Sequence, residues 1–482
     1  MKRIAGNAAY ALLLMAFSFC SFNSYAQNEN SISFPEPYTE NAEVEIVLKG
    51  ASPGNVVLLG VYGDQNLIKD SAHADESGRV VFGNKKRYPD GLYYAVFKNN
   101  SQMPFLLDRN QKFFLHADKA NIIRTMETNS AENRIYYMSK LYESNLMSKI
   151  DSVKNEMTKF SSASNEYGAL NNEQLRLIDE KAAVISEYKN KYPGSFFVKF
   201  KMAGQNPKVP YPTKPNGDLD TMAQTLQIRN EFWKNFDFND GRLLHTPVYY
   251  NKMTKYLTTL FYQQADSLLE GAKFLLEHAE KGDKEIFNFT VNYLMITYEK
   301  PPVMGAEKLF CYTVDNYFTL QKAYWADSVT VVRAKMKSDQ MRPSLLGATG
   351  QDLNCKNEQG EYVSLYSIKK PIRLIFLYNP DCEHCQKEAP KLKALYDKWK
   401  SRGLEVYALN VESNYDHWHS FINKLNLDWI NVIDPKFESK YLSKYFYTDT
   451  PGVYVLDANN KIVAKQILSD QLENVFERMT SK

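Results

Sequence analysis

The sequence predicts a multidomain α+β protein: a β-sandwich-like domain, then a helical domain, then an α/β domain. Three observations predict it. At 482 residues the chain is too long for one hydrophobic core. Its apolar residues change period twice, from strand-like alternation to helical spacing, and then to strands and helices in turn. A stretch with linker composition, Met341-Arg342-Pro343 to Gly350, precedes the last region. The expected division is a leader, 1–26, a β-sandwich-like domain, 27–125, a helical domain, 126–340, and an α/β domain, 341–482.

The leader reads as a secretory signal. Lys2 and Arg3 form a basic start, Ala8 to Phe19 an apolar stretch, and Ser24-Tyr25-Ala26 a small-x-small cleavage site. Lipid attachment at Cys20 wants a small residue before the cysteine. Phe19 is bulky, which favours ordinary cleavage over an anchor. Export implies an oxidising compartment, where disulfides persist. The formal charge of +3, with no basic block, argues against a nucleic-acid partner.

In the first domain Val44, Ile46 and Leu48 alternate with polar residues, as on a half-buried strand. Val56 to Tyr62, Arg79 to Phe82, Leu92 to Phe97 and Lys112 to His116 follow. Turn signals such as Ser52-Pro53-Gly54 and Pro89-Asp90-Gly91 separate them. In the second domain Thr246-Pro247 reads as a helix start. Behind it Tyr249, Met253, Tyr256, Leu257 and Leu260 share one face, a packing face rather than a ligand surface. The last domain alternates: a buried strand Ile372 to Tyr378, a helix, a strand Val406 to Val411, a helix, and strands near Trp429 to Ile433, Gly452 to Leu456 and Ile462 to Lys465, before a final helix.

One stretch announces chemistry: "YNPDCEHCQKEAP", Tyr378 to Pro390. Leu392, Leu395, Tyr396 and Trp399 after it fall at helical spacing, so Cys382 sits where a strand hands over to a helix N-terminus. Unpaired N–H groups and the helix dipole favour a thiolate there, and the thiolate is the attacking species. Cys385 lies one turn on and can resolve a mixed disulfide. A structural zinc site would need two more ligands. His417 and His419 flank the buried face of their helix on opposite sides and do not converge. A thiol peroxidase would want a hydroxyl residue three positions before Cys382, where Asn379 stands.

Together with Pro390 and "YTDTPGVYVLD", Tyr447 to Asp457, this region resembles the thioredoxin fold. It is most similar to the secreted TlpA/ResA-like thiol-disulfide oxidoreductases. The regions before it look like extensions that precede such domains in some Gram-negative bacteria, which implies a periplasmic location. The resemblance implies a redox-active Cys382–Cys385 disulfide and no metal or organic cofactor. It makes Cys382 the nucleophile and Cys385 the resolving thiol. Thr450 and Pro451, with a cis peptide between them, would bind substrate. Glu383 and His384 would tune the thiols in opposite directions. Glu388 would be a proton-transfer group, or else a helix-surface acid. The implied partners are exported protein thiols and disulfides, apocytochromes among them as in relatives, and a membrane redox protein that recycles the pair. The chain departs from cytoplasmic thioredoxin at Phe376 and Ala408, which stand where that protein has a buried Asp and its Lys partner. A rival reading is an envelope binding or scaffold protein with a vestigial redox domain. Cys311 and Cys355 could further form a disulfide pinning the last two domains together. The alternative is two buried free thiols.

Overall fold

The structure, a computed structural model, describes residues 32–481. The leader and Cys20 lie outside them. The chain packs as two compact units, one ending at Thr254 and one beginning at Lys255. This division by packing falls inside the helical stretch that the sequence treats as one domain.

The first unit opens with β1 (Ala42–Lys49), β2 (Gly54–Tyr62), β3 (Gln65–Ala74), β4 (Arg79–Asn84), β5 (Gly91–Val96), β6 (Gln102–Leu107), β7 (Lys112–Asp118) and β8 (Glu127–Thr128). They form two four-stranded sheets, β4-β1-β7-β8 and β3-β2-β5-β6. Val44, Ile46 and Leu48 are buried, and Phe105 of one sheet meets Phe113 of the other, ring centroids 6.3 Å apart. This is the expected sandwich with three strands added, β3, β6 and the two-residue β8, all at sheet edges. β3 is polar and largely exposed, so it carries no alternation, and β6 contains Pro104, which an edge tolerates. Helices α1 (Ile122–Thr125), α2 (Ala131–Met157), α3 (Asn165–Lys191), α4 (Phe196–Ala203) and α5 (Thr221–Glu231) follow. Side chains of Ser130, Ser164, Ser195 and Asp220 accept first-turn N–H groups of α2, α3, α4 and α5, as N-caps do. The division at Thr254 lies within α6 (Val248–Thr259).

The second unit begins its own helices with α7 (Ala265–Glu280), α8 (Lys284–Glu299), α9 (Glu307–Asn316) and α10 (Ser328–Met341). Then come β9 (Asn354–Asn357), β10 (Tyr362–Ser364), β11 (Ile372–Tyr378), α11 (Glu383–Trp399), β12 (Leu404–Asn410), α12 (Tyr415–Leu425), β13 (Ile430–Ile433), α13 (Tyr441–Lys444), β14 (Gly452–Leu456), β15 (Ile462–Lys465) and α14 (Ser469–Thr480). The seven strands lie in the order β10-β9-β13-β12-β11-β14-β15. β11, β12 and β13 are parallel, while β14 runs antiparallel to β11. β11 is central and every residue of it is buried, with a core on each face. Leu374, Phe376 and Tyr378 serve one core, Ile375 and Leu377 the other.

The stretch Met341 to Gly350 is not a linker. Ser344 is fully buried, its hydroxyl accepts the Phe446 N–H at 3.0 Å, and Gly347 and Ala348 exchange backbone hydrogen bonds with Ile462. A Cβ on Gly350 would stand 2.7 Å from Leu456 Cδ2. Small residues here serve close packing, and their composition imitates that of a linker. Cys311 and Cys355 are free and buried rather than bridged. The Cys311 thiol donates to Ser338 O at 3.7 Å, and burial pushes the Cys355 thiol up to about 11.

Candidate active site

β11 delivers the chain to the site and α11 receives it. Between them the Cys382 N–H donates to Asn379 O at 3.1 Å, and Asn379 Oδ1 accepts the Asp381 N–H at 2.8 Å. Cys382 is the N-cap residue of α11, in extended conformation. Its side chain is half-buried, while Cys385 in the first turn is fully buried. Both thiols are free, so this is the dithiol arrangement.

β14 brings a distant segment to the cysteines. Gly452 pairs with Leu377 near the end of β11, which sets the preceding Thr450 beside the motif. The Cys382 thiol donates to Thr450 O at 3.3 Å, and the Thr450–Pro451 peptide is cis, as the sequence predicts.

The two thiols are pushed apart. Partial burial raises Cys382, but hydrogen bonds to its sulfur outweigh that and the net direction is down. They come from the Thr450 side chain, from the N–H and thiol of Cys385, and from the His384 N–H. The helix-start position favours a thiolate there through first-turn N–H groups, although the Cys382 thiol makes no capping hydrogen bond. Cys385 moves the other way. Burial pushes it up to about 12 against the opposing N–H of Asn379, and the neighbouring Cys382 adds to the rise.

The remaining expected residues divide. His384 is exposed, and what it offers the sulfur is its backbone N–H rather than its ring. The Glu383 side chain is 76% exposed and pairs with Lys387 one turn on. Glu388 is not a surface acid. It is 5% exposed and accepts the Ser469 N–H at the start of α14, with Lys391 at 3.6 Å. His417 pairs with Asp381 and His419 with Glu358, each at 3.1 Å, so the two histidines serve different acids. Among the described residues no group of three His, Cys, Asp or Glu side chains could hold a metal ion. Phe376 and Ala408 are register partners and fully buried, an apolar contact in place of an acid–lysine pair.

Sequence reasoning missed the layer beneath. Trp418 Nε1 donates to the Tyr378 hydroxyl at 3.0 Å, both side chains fully buried on the core that also carries Cys385. It missed the carbonyl of Thr450 as the acceptor of the Cys382 thiol as well. The Thr-Pro pattern marked the residue, but only the β11–β14 register sets it against Cys382.

Comparison with known proteins agrees with this geometry. Residues 346–465 match the AhpC/TSA family, and residues 180–344 match a domain of unknown function, DUF5106. The chain is 25% identical over 166 residues to a thiol-disulfide oxidoreductase ResA of Bacillus cereus, covering 34% of this chain and 87% of that one. The ResA of Bacillus anthracis is 26% identical over 165 residues, covering 34% and 86%. Among solved structures, a domain of a possible thiol-disulfide isomerase from Cytophaga hutchinsonii is 33% identical, covering 29% of this chain and 95% of that domain, with a TM-score of 0.28. With a strand–Cys-x-x-Cys–helix unit facing a cis-proline loop, the AhpC/TSA match over residues 346–465 and the likeness to curated ResA proteins, the C-terminal domain is thioredoxin-like and similar to the ResA/TlpA-like thiol-disulfide oxidoreductases.

Proposed function

We propose that this thiol-disulfide oxidoreductase exchanges disulfides with exported polypeptides through Cys382 and Cys385. The observation that carries the reading is the split between the thiols: one accessible and lowered at a helix N-terminus, the other buried and raised. The Cys382 thiolate attacks one sulfur of a substrate disulfide. A mixed disulfide forms and the other substrate sulfur leaves as a thiolate. Cys385 gives up its proton and attacks Cys382, the Cys382–Cys385 disulfide forms, and the second substrate thiolate leaves. The protein is oxidised by two electrons and the substrate reduced; the reverse sequence makes a substrate disulfide. Glu388, buried one turn beyond Cys385 on the same helix, is the group assigned to take the proton. Thr450 and Pro451 present a backbone edge to the substrate. The leader supports a periplasmic setting, where a membrane redox protein would recycle the pair. The Asn379 side chain is engaged by the Asp381 N–H, and it carries no hydroxyl to hold a peroxide.

The test is trapping. The Cys385→Ser variant should accumulate a mixed disulfide with insulin chains, linked through Cys382 and visible by mass spectrometry of the non-reduced protein. The Cys382→Ser variant should form none. An adduct on neither variant, from wild-type protein that also fails to reduce insulin, would sink the reading.

A further inference from the structure

We propose that the α8–α9 loop, residues 299–307, forms a wall of the substrate pocket and thereby selects which polypeptide segments reach Cys382. This rests on the disulfide-exchange reading above. A cavity of about 660 Å³ lies in the second unit, within the size range of ligand pockets. Val303, Met304, Thr448, Asp449, Gln466 and Ile467 are among the residues that line it. Thr448 and Asp449 run directly into Thr450, whose carbonyl accepts the Cys382 thiol. Ile467 packs on the same core as Cys382. The cavity thus adjoins the edge that a substrate chain must approach for its sulfur to meet Cys382.

The wall is fixed, not loose. At its end Glu307, 5% exposed, pairs with Lys465, 2% exposed, at 2.9 Å. Lys465 also donates its ammonium to Ser344 O at 2.8 Å, and its backbone N–H to Met304 Sδ at 3.4 Å. Gly305 turns with φ +83°, and a Cβ there would stand 2.9 Å from Leu346 Cβ. These two buried charges therefore offset each other inside the protein, although Glu307 Oε1 makes no well-aligned hydrogen bond. Open to a ligand are apolar surface at Val303 and Met304, the latter 39% exposed, the amides of Gln471 and Asn474 on α14, and the exposed charges of Lys300, Asp449 and Arg478. Side-chain amides pair with peptide N–H and C=O groups, and apolar surface takes an apolar side chain. The occupant that fits is an extended segment beside the attacked cysteine, bearing an apolar residue that packs on Met304.

The experiment compares two disulfides in single turnover with the full chain in its dithiol form: insulin, and the small disulfide 5,5′-dithiobis(2-nitrobenzoate). The enzyme dithiol supplies both electrons in each case. Met304→Glu should lower the ratio of the insulin rate to the small-disulfide rate by about tenfold, equivalent to about 1.4 kcal/mol of lost contact. Gln471→Ala, at an exposed position, should lower the same ratio in the same direction and serves if the first variant does not fold. An unchanged ratio in folded variants overturns the proposal, as does a wild-type chain that reduces the small disulfide but not insulin. A wild-type chain that reduces neither overturns the exchange reading itself.

Discussion

Cys382 and Cys385 are the same side chain three positions apart, yet they behave as different reagents because of what reaches each sulfur. Cys382 is half-buried at a helix start, where first-turn N–H groups and Thr450 favour its thiolate, whereas Cys385 is sealed in the core and burial disfavours its own. The His384 contribution is through its backbone, which makes a sharp prediction. Both variants remove the ring, but only His384→Pro also removes the N–H, at a first-turn position where proline is tolerated. His384→Ala should alkylate with iodoacetamide at pH 7 much as wild type does, at Cys382 first and at Cys385 only on unfolding. His384→Pro should raise the Cys382 thiol and slow labelling by about tenfold for each unit of the rise. A less stable thiolate disfavours the dithiol form, so the potential should move towards reducing. Equal slowing in both variants would assign the effect to the ring instead.

At the scale of elements, buried acids serve helix starts. Glu388 takes the first N–H of α14, and Glu132 takes those of Phe196 and Phe197 at α4, together with the Ser195 hydroxyl. Burial raises the Glu132 carboxyl to about 8, against the hydrogen bond from Phe197, and the Asp108 charge adds to the rise. The folded state then holds this proton more tightly than the unfolded chain does. Its contribution is complete below the ordinary value of 4.5 and is lost as pH rises through about 8. Urea unfolding should therefore show stability falling over that window, by on the order of a few kcal/mol. Glu132→Gln should flatten the decline; an undiminished slope would place its origin elsewhere. Elements with a buried face were legible because burial writes itself into the sequence: β11, β14 and β15 begin and end where the apolar pattern does. β3 was not, since an exposed edge strand is held by the β2 ladder alone and its side chains record nothing.

At the scale of the molecule, the second unit joins its helices to the sheet through a buried ion pair. Glu307 starts α9 and Lys465 ends β15. Removing one partner from such a pair leaves a buried charge with little to offset it. Glu307→Ala should therefore destabilise this unit by about 3–5 kcal/mol, read from denaturant midpoints of the full chain. A shift below about 1 kcal/mol, the ordinary worth of an exposed pair, would mean that water reaches Lys465. Met341 to Gly350 has the composition of a loose connection, yet Ser344, Gly347 and Ala348 within it are tied to Phe446 and Ile462.

The sequence by itself determined the α+β class, the sandwich, the strand-to-helix position of Cys382 and Cys385, and the Thr450–Pro451 turn. Each of these is local: a period, a turn residue, or a short motif at the end of a strand. Only the tertiary structure decided that the Cys382 thiol donates to Thr450 O, that Glu388 is buried against α14, that Cys311 and Cys355 stay apart, and that residues 299–307 adjoin the cis-proline loop. These depend on which distant segments the sheet order brings together. The energy that fixes that order is spread over the cores on the two faces of β11 and is not carried by any one stretch of sequence.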